Sequence, residues 1–225
     1  MSVLDRIRDA IDPDRVLIAT MDATIHAQGL RYAVADAPEV WAPGKPLKLL
    51  LAGYVGTRNT GADVRVEEMI RQLRVVVGDD QVAMTVLTND LDLSAGYFRR
   101  CRQVYMPAAF PKILLEQCPL HHGVVACEGS MFKSKFSSAL TTFMAGGLGM
   151  ANAEGKVSVG YGAEAGEMSE PLQRFVERSC RQSLILCRNE PSQRVLERLG
   201  VRTRLGTDTA WTFEHALRQI GRAHV

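Results

Sequence analysis

Arg188 is the residue of this chain best suited to hold an anion. It ends the apolar run Ser183 to Cys187 and opens the segment Arg188-Asn189-Glu190-Pro191-Ser192, and a guanidinium grips a carboxylate or phosphate at two points. An ion pair with Glu190 or another residue at the start of the next helix is the competing use. Glu128 follows the apolar run Val124-Val125-Ala126-Cys127. A carboxylate ending a buried strand costs free energy unless it is paired or used, so Glu128 is the candidate acid or base, with pairing to Arg58 or Lys133 as the alternative. Lys133 and Lys135 alternate on the loop beyond it and either neutralise the same anion or stay in water.

A second candidate anion site, which fits a plain strand-to-helix turn equally well, is Leu49-Leu50-Leu51-Ala52-Gly53-Tyr54-Val55-Gly56-Thr57-Arg58-Asn59-Thr60-Gly61-Ala62-Asp63. It reads as a buried strand, a glycine loop and a helix start, where backbone amides favour negative charge. The spacing G-x-x-G-x-x-x-x-G is neither the dinucleotide fingerprint nor a P-loop. Asn59 or Thr60 can cap the helix, and Asn59 can equally brace the loop through its amide. Asp63 suits the positive end of the helix dipole and is structural on that reading, with ligand contact as the alternative. Asp208 either reaches the cleft or caps a helix begun by Trp211 to His215. The pair His121-His122 has no further Cys or His spacing to support zinc.

These residues need a scaffold that brings them together. Leu47 to Ala52, Val82 to Thr88, Val124 to Cys127, Val157 to Gly162, Ser183 to Cys187 and Thr203 to Gly206 read as strands, with Cys101 to Met106 a weaker one. Between them, Val66, Met69, Ile70, Leu73 and Val77 form a helical stripe, as do Phe110, Ile113 and Leu114. Ser138 to Ala153 reads as a helix packed through small residues, Ser169-Glu170-Pro171 opens another, and Pro191 to Leu199 closes at Gly200. Val16 to Ala19 fits a strand or part of a helix. Strand, loop and helix units of this length predict an α/β fold, a mostly parallel sheet with helices on both faces. The loops beyond Gly53, Cys127, Gly160 and Cys187 then share the carboxyl edge, where such sheets bind ligands.

The 225 residues, 46% hydrophobic and 23% charged, describe a globular protein, and a net charge of +2 with scattered basic residues and few aromatics gives no argument for nucleic acid. Cys101, Cys118, Cys127, Cys180 and Cys187 contain no C-x-x-C pair and read as thiols in a reducing compartment. Met1 to Arg8 reads as a short amphipathic helix without a signal-peptide core, and no stretch is long enough to span a bilayer. The expected location is the cytoplasm, with the inner face of the membrane as an alternative and a homo-oligomer as an open option.

From about Leu47 to about Phe213 the loops resemble the polysaccharide pyruvyl transferase family. The landmarks, in order, are Gly53 to Asp63, Glu128-Gly129-Ser130-Met131-Phe132, Val159-Gly160-Tyr161-Gly162, Arg188 to Ser192, and Leu199-Gly200-Val201 followed by Asp208-Thr209-Ala210. Ala62 is inserted where the family runs glycine directly into aspartate, and Glu128 stands where it has a glycine, so the substrate can differ. The resemblance implies one Rossmann-like half of a two-domain glycosyltransferase B-type fold. It implies transfer of the pyruvyl group of phosphoenolpyruvate to a sugar of a cell-surface polysaccharide as a ketal, with phosphoenolpyruvate and a saccharide as partners, no metal and no other cofactor. Glu128 and Arg188 become the catalytic candidates. Gly53, Gly56, Asn59, Gly61, Asp63, Gly129, Ser130, Lys133, Gly160, Gly162, Ser192 and Asp208 become substrate-binding candidates. A nucleotide-sugar glycosyltransferase-like or non-catalytic binding relative is the alternative. The family continues into a second domain, whereas Ile220 to Val225 match what one reading frame of a common sequencing adapter would encode. The expectation is a truncated, inactive fragment: an extension at 1–45, the domain at 46–215 and a tail at 216–225.

Overall fold

The apolar run that starts at Leu47 forms the central strand β1 (Leu47–Gly53) of a computed structural model that describes residues 12–34, 40–127, 130–134 and 137–213. From Leu49 onward all of β1 is buried, as a strand needs to be when it is paired on both edges and covered on both faces. The remaining elements are α1 (Pro13–Ala33), α2 (Thr60–Val77), β2 (Val82–Thr88), the single turn α3 (Leu91–Ser94), β3 (Arg102–Tyr105), α4 (Phe110–Gln117) and β4 (Gly123–Cys127). Then come α5 (Ser138–Ala153), β5 (Val157–Ala163), α6 (Glu170–Ser179), β6 (Leu184–Cys187), α7 (Glu190–Arg198) and β7 (Arg202–Leu205).

Among the described residues seven strands form one parallel sheet, in the order β3-β2-β1-β4-β5-β6-β7. The order runs one way from β1 to β3 and the other way from β4 to β7, so it reverses between β1 and β4. Period-two alternation divides the core between the two faces. Leu50, Ala52, Leu87, Val124, Ala126 and Ile185 pack under α1, α4, α5, α6 and α7. Leu49, Leu51, Met84, Val86 and Val125 pack under α2 through Val66, Met69 and Ile70. Helices thus cover both faces of a parallel sheet, the architecture of a Rossmann-like half domain.

Val16 to Ala19, ambiguous as sequence, lies within α1, whose N-terminus is capped by Asp12 ahead of Pro13. This helix sits in the span read as an extension, yet it belongs to the core. Met21 lies against Gly146 and Ile25 against Gly149 of α5, where a Cβ on either glycine would come within 2.7 Å of the facing side chain. Gln28 donates to Glu154 at 2.7 Å, and Glu154 pairs with Lys156 at 2.6 Å, a buried tie from α1 to the end of α5. Ser169 precedes α6, but its hydroxyl caps nothing. Among the described residues no helix is long and apolar enough to cross a membrane. The helix read at Met1 to Arg8, the tail from 216, and Glu128, Gly129 and Lys135 lie outside the described residues.

Candidate functional site

At the end of β1, backbone constraints shape the first loop. A Cβ on Gly53 would stand 2.5 Å from the Cys127 carbonyl oxygen, so glycine is what lets β1 and β4 close together. Gly56 has φ +74°, and a Cβ there would meet Thr88 Oγ1 at 2.2 Å. This loop is locked against the end of β2, where the Asn89 amide donates to the Val55 carbonyl at 3.0 Å. Asn59, not Thr60, caps α2: its Oδ1 accepts the Ala62 amide at 3.2 Å. Gly61 lies in the first turn, its carbonyl accepting from Arg65 Nη1 at 3.2 Å.

Asp63 also sits in that first turn, only 5% exposed. Burial raises its pKa above the usual carboxylate value, and the Gly56 amide, donating to it, offsets part of the rise. Its Oδ1 has no partner among the described residues, like Thr57 Oγ1 in the same loop and Asn89 Oδ1 at the end of β2.

The other carboxyl ends meet in a chain of alternating charges. Lys133, beyond β4, pairs with Glu164, beyond β5, which also pairs with Arg188 at the end of β6. Arg188 Nη1 donates to Asp208 Oδ2 at 2.9 Å, and Arg65 Nε of α2 lies 3.0 Å from both Asp208 oxygens. Three cations and two carboxylates leave one net positive charge, with side-chain exposures of only 16–25%. Such a network is weakly screened, and its members fix one another's positions. Burial alone would lift the Asp208 pKa. The Ala210 amide and the Arg65 guanidinium outweigh it and hold the carboxyl below its usual range. Burial depresses the pKa of Lys133, and nearby Arg188 depresses it further.

Arg188 is therefore not paired with Glu190, which bridges Arg194 one turn along α7. Lys133 is not a solvated surface lysine. Asp208 is a cap, though of the 3-10 turn Thr209–Thr212, where it accepts the Ala210 amide at 3.0 Å; it does not line the cleft where the strand order reverses, and its carboxylate instead holds both arginines. That turn packs against α2, with Thr209 Oγ1 donating to the Arg65 carbonyl at 3.1 Å.

A cleft of about 650 Å³ opens where the strand order reverses. Tyr54, Asn59, Arg65, Asn89, Ser130 and Ser137 give it polar groups, and Met106, Phe110, Leu140 and Phe143 an apolar wall. Asn59 and Ser137 are the N-caps of α2 and α5, so two helices of many turns start at its rim. The geometry can hold a small ligand with an anionic end toward the helix starts and Arg65.

Several candidates stand apart from this cleft. Gly160 is a strand residue packed on Ile185, 2.7 Å from where its Cβ would lie. Gly162, φ +69°, sits at the irregular pairing of β5 with β6 and faces Thr209. Ser192 is buried in the first turn of α7, donating its hydroxyl to Asn189 Oδ1 at 2.7 Å, within the cap of that helix. His121 is satisfied internally, its Nδ1 donating to the Gln117 carbonyl at 2.7 Å and its Nε2 accepting from Thr85 Oγ1 at 2.8 Å, and burial lowers its pKa. Among the described residues no three His, Cys, Asp or Glu side chains gather as metal ligands do.

Arg65, Glu164, Asn89 and Ser137 were not singled out by their spacing. Arg65 lies beside the apolar stripe of α2 and pairs 143 residues away, so no local pattern marks it. Glu164 follows Gly162 in a loop already expected at this edge, which was the one available signal. No protein-family model matches the sequence, and no curated protein matches it.

Proposed function

We propose that the cleft between β1 and β4 binds phosphoenolpyruvate, and that the chain is a pyruvyl transferase of the polysaccharide type, making a pyruvate ketal on a sugar. One observation carries this reading: a single cleft at the strand-order reversal joins the starts of α2 and α5 to the Arg65 guanidinium. Amide-rich helix starts and a forked cation suit a donor that carries both a phosphate and a carboxylate. The ordered landmarks of the sequence support the choice of donor.

The reaction itself is balanced without an external redox partner. Two sugar oxygens bond to C2 of the enolpyruvyl group, its methylene carbon takes up a proton and becomes a methyl group, and the C2–O bond to phosphate breaks with the pair leaving on phosphate. One hydroxyl proton balances the methyl group and the other leaves with phosphate. Fixed cations stabilise the departing dianion. Moving those protons calls for a general acid or base, a role for which Glu128 is the sequence candidate.

Thermal unfolding with and without ligand tests the reading. A ligand at one hundred times its Kd stabilises by about 2.7 kcal/mol. Phosphoenolpyruvate is expected to raise the melting temperature by several degrees. Protection by a nucleotide sugar and none by phosphoenolpyruvate would turn the assignment to a glycosyltransferase-like protein.

A further inference from the structure

We propose that Arg65 is the side chain that meets the anionic end of the ligand and that Asp208 is the positioning residue that aims it, an inference that rests on reading the cleft as an anion site. Arg65 is the only charged residue among the described residues lining the cleft. Arg188, the better candidate from sequence, is absent from that lining, and both its terminal nitrogens are committed, Nη1 to Asp208 and Nη2 to Glu164. Arg65 spends Nε on Asp208 and Nη1 on the Gly61 carbonyl at 3.2 Å, leaving Nη2 without a partner among the described residues.

Asp208 is built to hold this arrangement. Its Oδ1 accepts the Ala210 amide and Arg65 Nε, each at 3.0 Å, and its Oδ2 accepts Arg65 Nε at 3.0 Å and Arg188 Nη1 at 2.9 Å. The backbone bond fixes the carboxylate, and the carboxylate fixes two guanidinium groups that would otherwise repel each other. Asp208 itself does not touch the ligand.

Charge counting and positioning make opposite predictions for the same substitution. Removing a carboxylate makes the site more positive, so bulk electrostatics predicts that Asp208→Asn tightens anion binding. Positioning predicts the reverse, because the forked donor loses its rest.

Titration calorimetry of the 225-residue chain with phosphoenolpyruvate, and separately with inorganic phosphate, decides between them. Arg65→Gln is expected to weaken binding of both by about tenfold or more, the scale of one charge-assisted hydrogen bond. Arg65→Lys, which keeps the charge and loses the fork, should recover only part of that, and it remains the readable variant if Arg65→Gln does not fold. Asp208→Asn should weaken binding severalfold and Asp208→Glu should restore part of it. Unchanged or tighter binding by Asp208→Asn overturns the positioning role. Binding by Arg65→Gln equal to the unsubstituted chain, or a larger loss from Arg188→Gln, overturns the assignment of Arg65 while the cleft reading stands. If the unsubstituted chain binds neither probe, the cleft reading itself fails and the inference falls with it.

Discussion

Asp63 and Asp208 are both carboxylates near the carboxyl edge of the sheet, and their surroundings push them in opposite directions. Asp208 is held below its usual range, so its contribution to stability is complete above that range and is lost as pH falls through its own lowered value. Asp63 is raised above its ordinary value of 3.8, chiefly by burial. For a raised acid the folded state favours the protonated form, so its contribution is greatest in acid and declines as pH rises from near 3.8 through the raised value. Asp63→Asn keeps the shape and removes the charge. The variant should be at least as stable as the parent at neutral pH, with a shallower loss of stability on going up from acid. Urea unfolding at several pH values measures this, and a variant less stable at neutral pH would show that the ionised carboxylate is the form the fold wants. Gly56, whose amide donates to Asp63, admits no such freedom: its φ is +74° and a Cβ there would collide with Thr88.

The fit between α1 and α5 decides how firmly the cleft wall is held, since Leu17 of α1 and Leu140 and Phe143 of α5 all face it. Gly146 permits the close approach, its missing Cβ lying 2.7 Å from Met21 Cγ. Gly146→Val should cost about 2 kcal/mol through overpacking and speed hydrogen exchange of the α1 amides. Adding Met21→Ala should return part of that stability, and a purely additive pair would disprove the contact. The same glycines show where sequence alone stops. Ser138 to Ala153 was legible as a helix from its apolar content and flanking signals, even with Gly146, Gly147 and Gly149 arguing against it. Their reason for being there was not legible, because it lies on a helix more than a hundred residues earlier, read only as an ambiguous run. The strands were legible for a simpler reason: β1, β2 and β4 are buried on both faces and show continuous apolarity, which local composition reveals. The edge the loops share followed from parallel order. The charge chain did not follow, because Lys133, Glu164, Arg188, Asp208 and Arg65 meet only after separate loops converge.

At the scale of the molecule the two sheet faces are unequally dressed. Among the described residues five helices lie on one, whereas α2 and the turn at Thr209–Thr212 serve the other. A groove of about 260 Å³ results, bounded by Leu73, Val76, Val77, Val157, Val159 and Leu186, with Val76 83% exposed. Apolar surface of this kind favours association of partly heated chains. Val76→Lys with Val157→Lys should leave the free energy of urea unfolding nearly unchanged, within about 0.5 kcal/mol, and delay light scattering on heating; no delay would remove the groove as the sticky surface. The reversal of strand order has a further consequence, during synthesis. β1 pairs with β4 through Leu49 opposite Gly123 and Gly53 opposite Cys127. While the intervening residues are still being translated, at roughly 5–20 residues per second, β1 has one edge with no native neighbour. For several seconds of synthesis, the side of β1 that will face β4 is an open pairing edge.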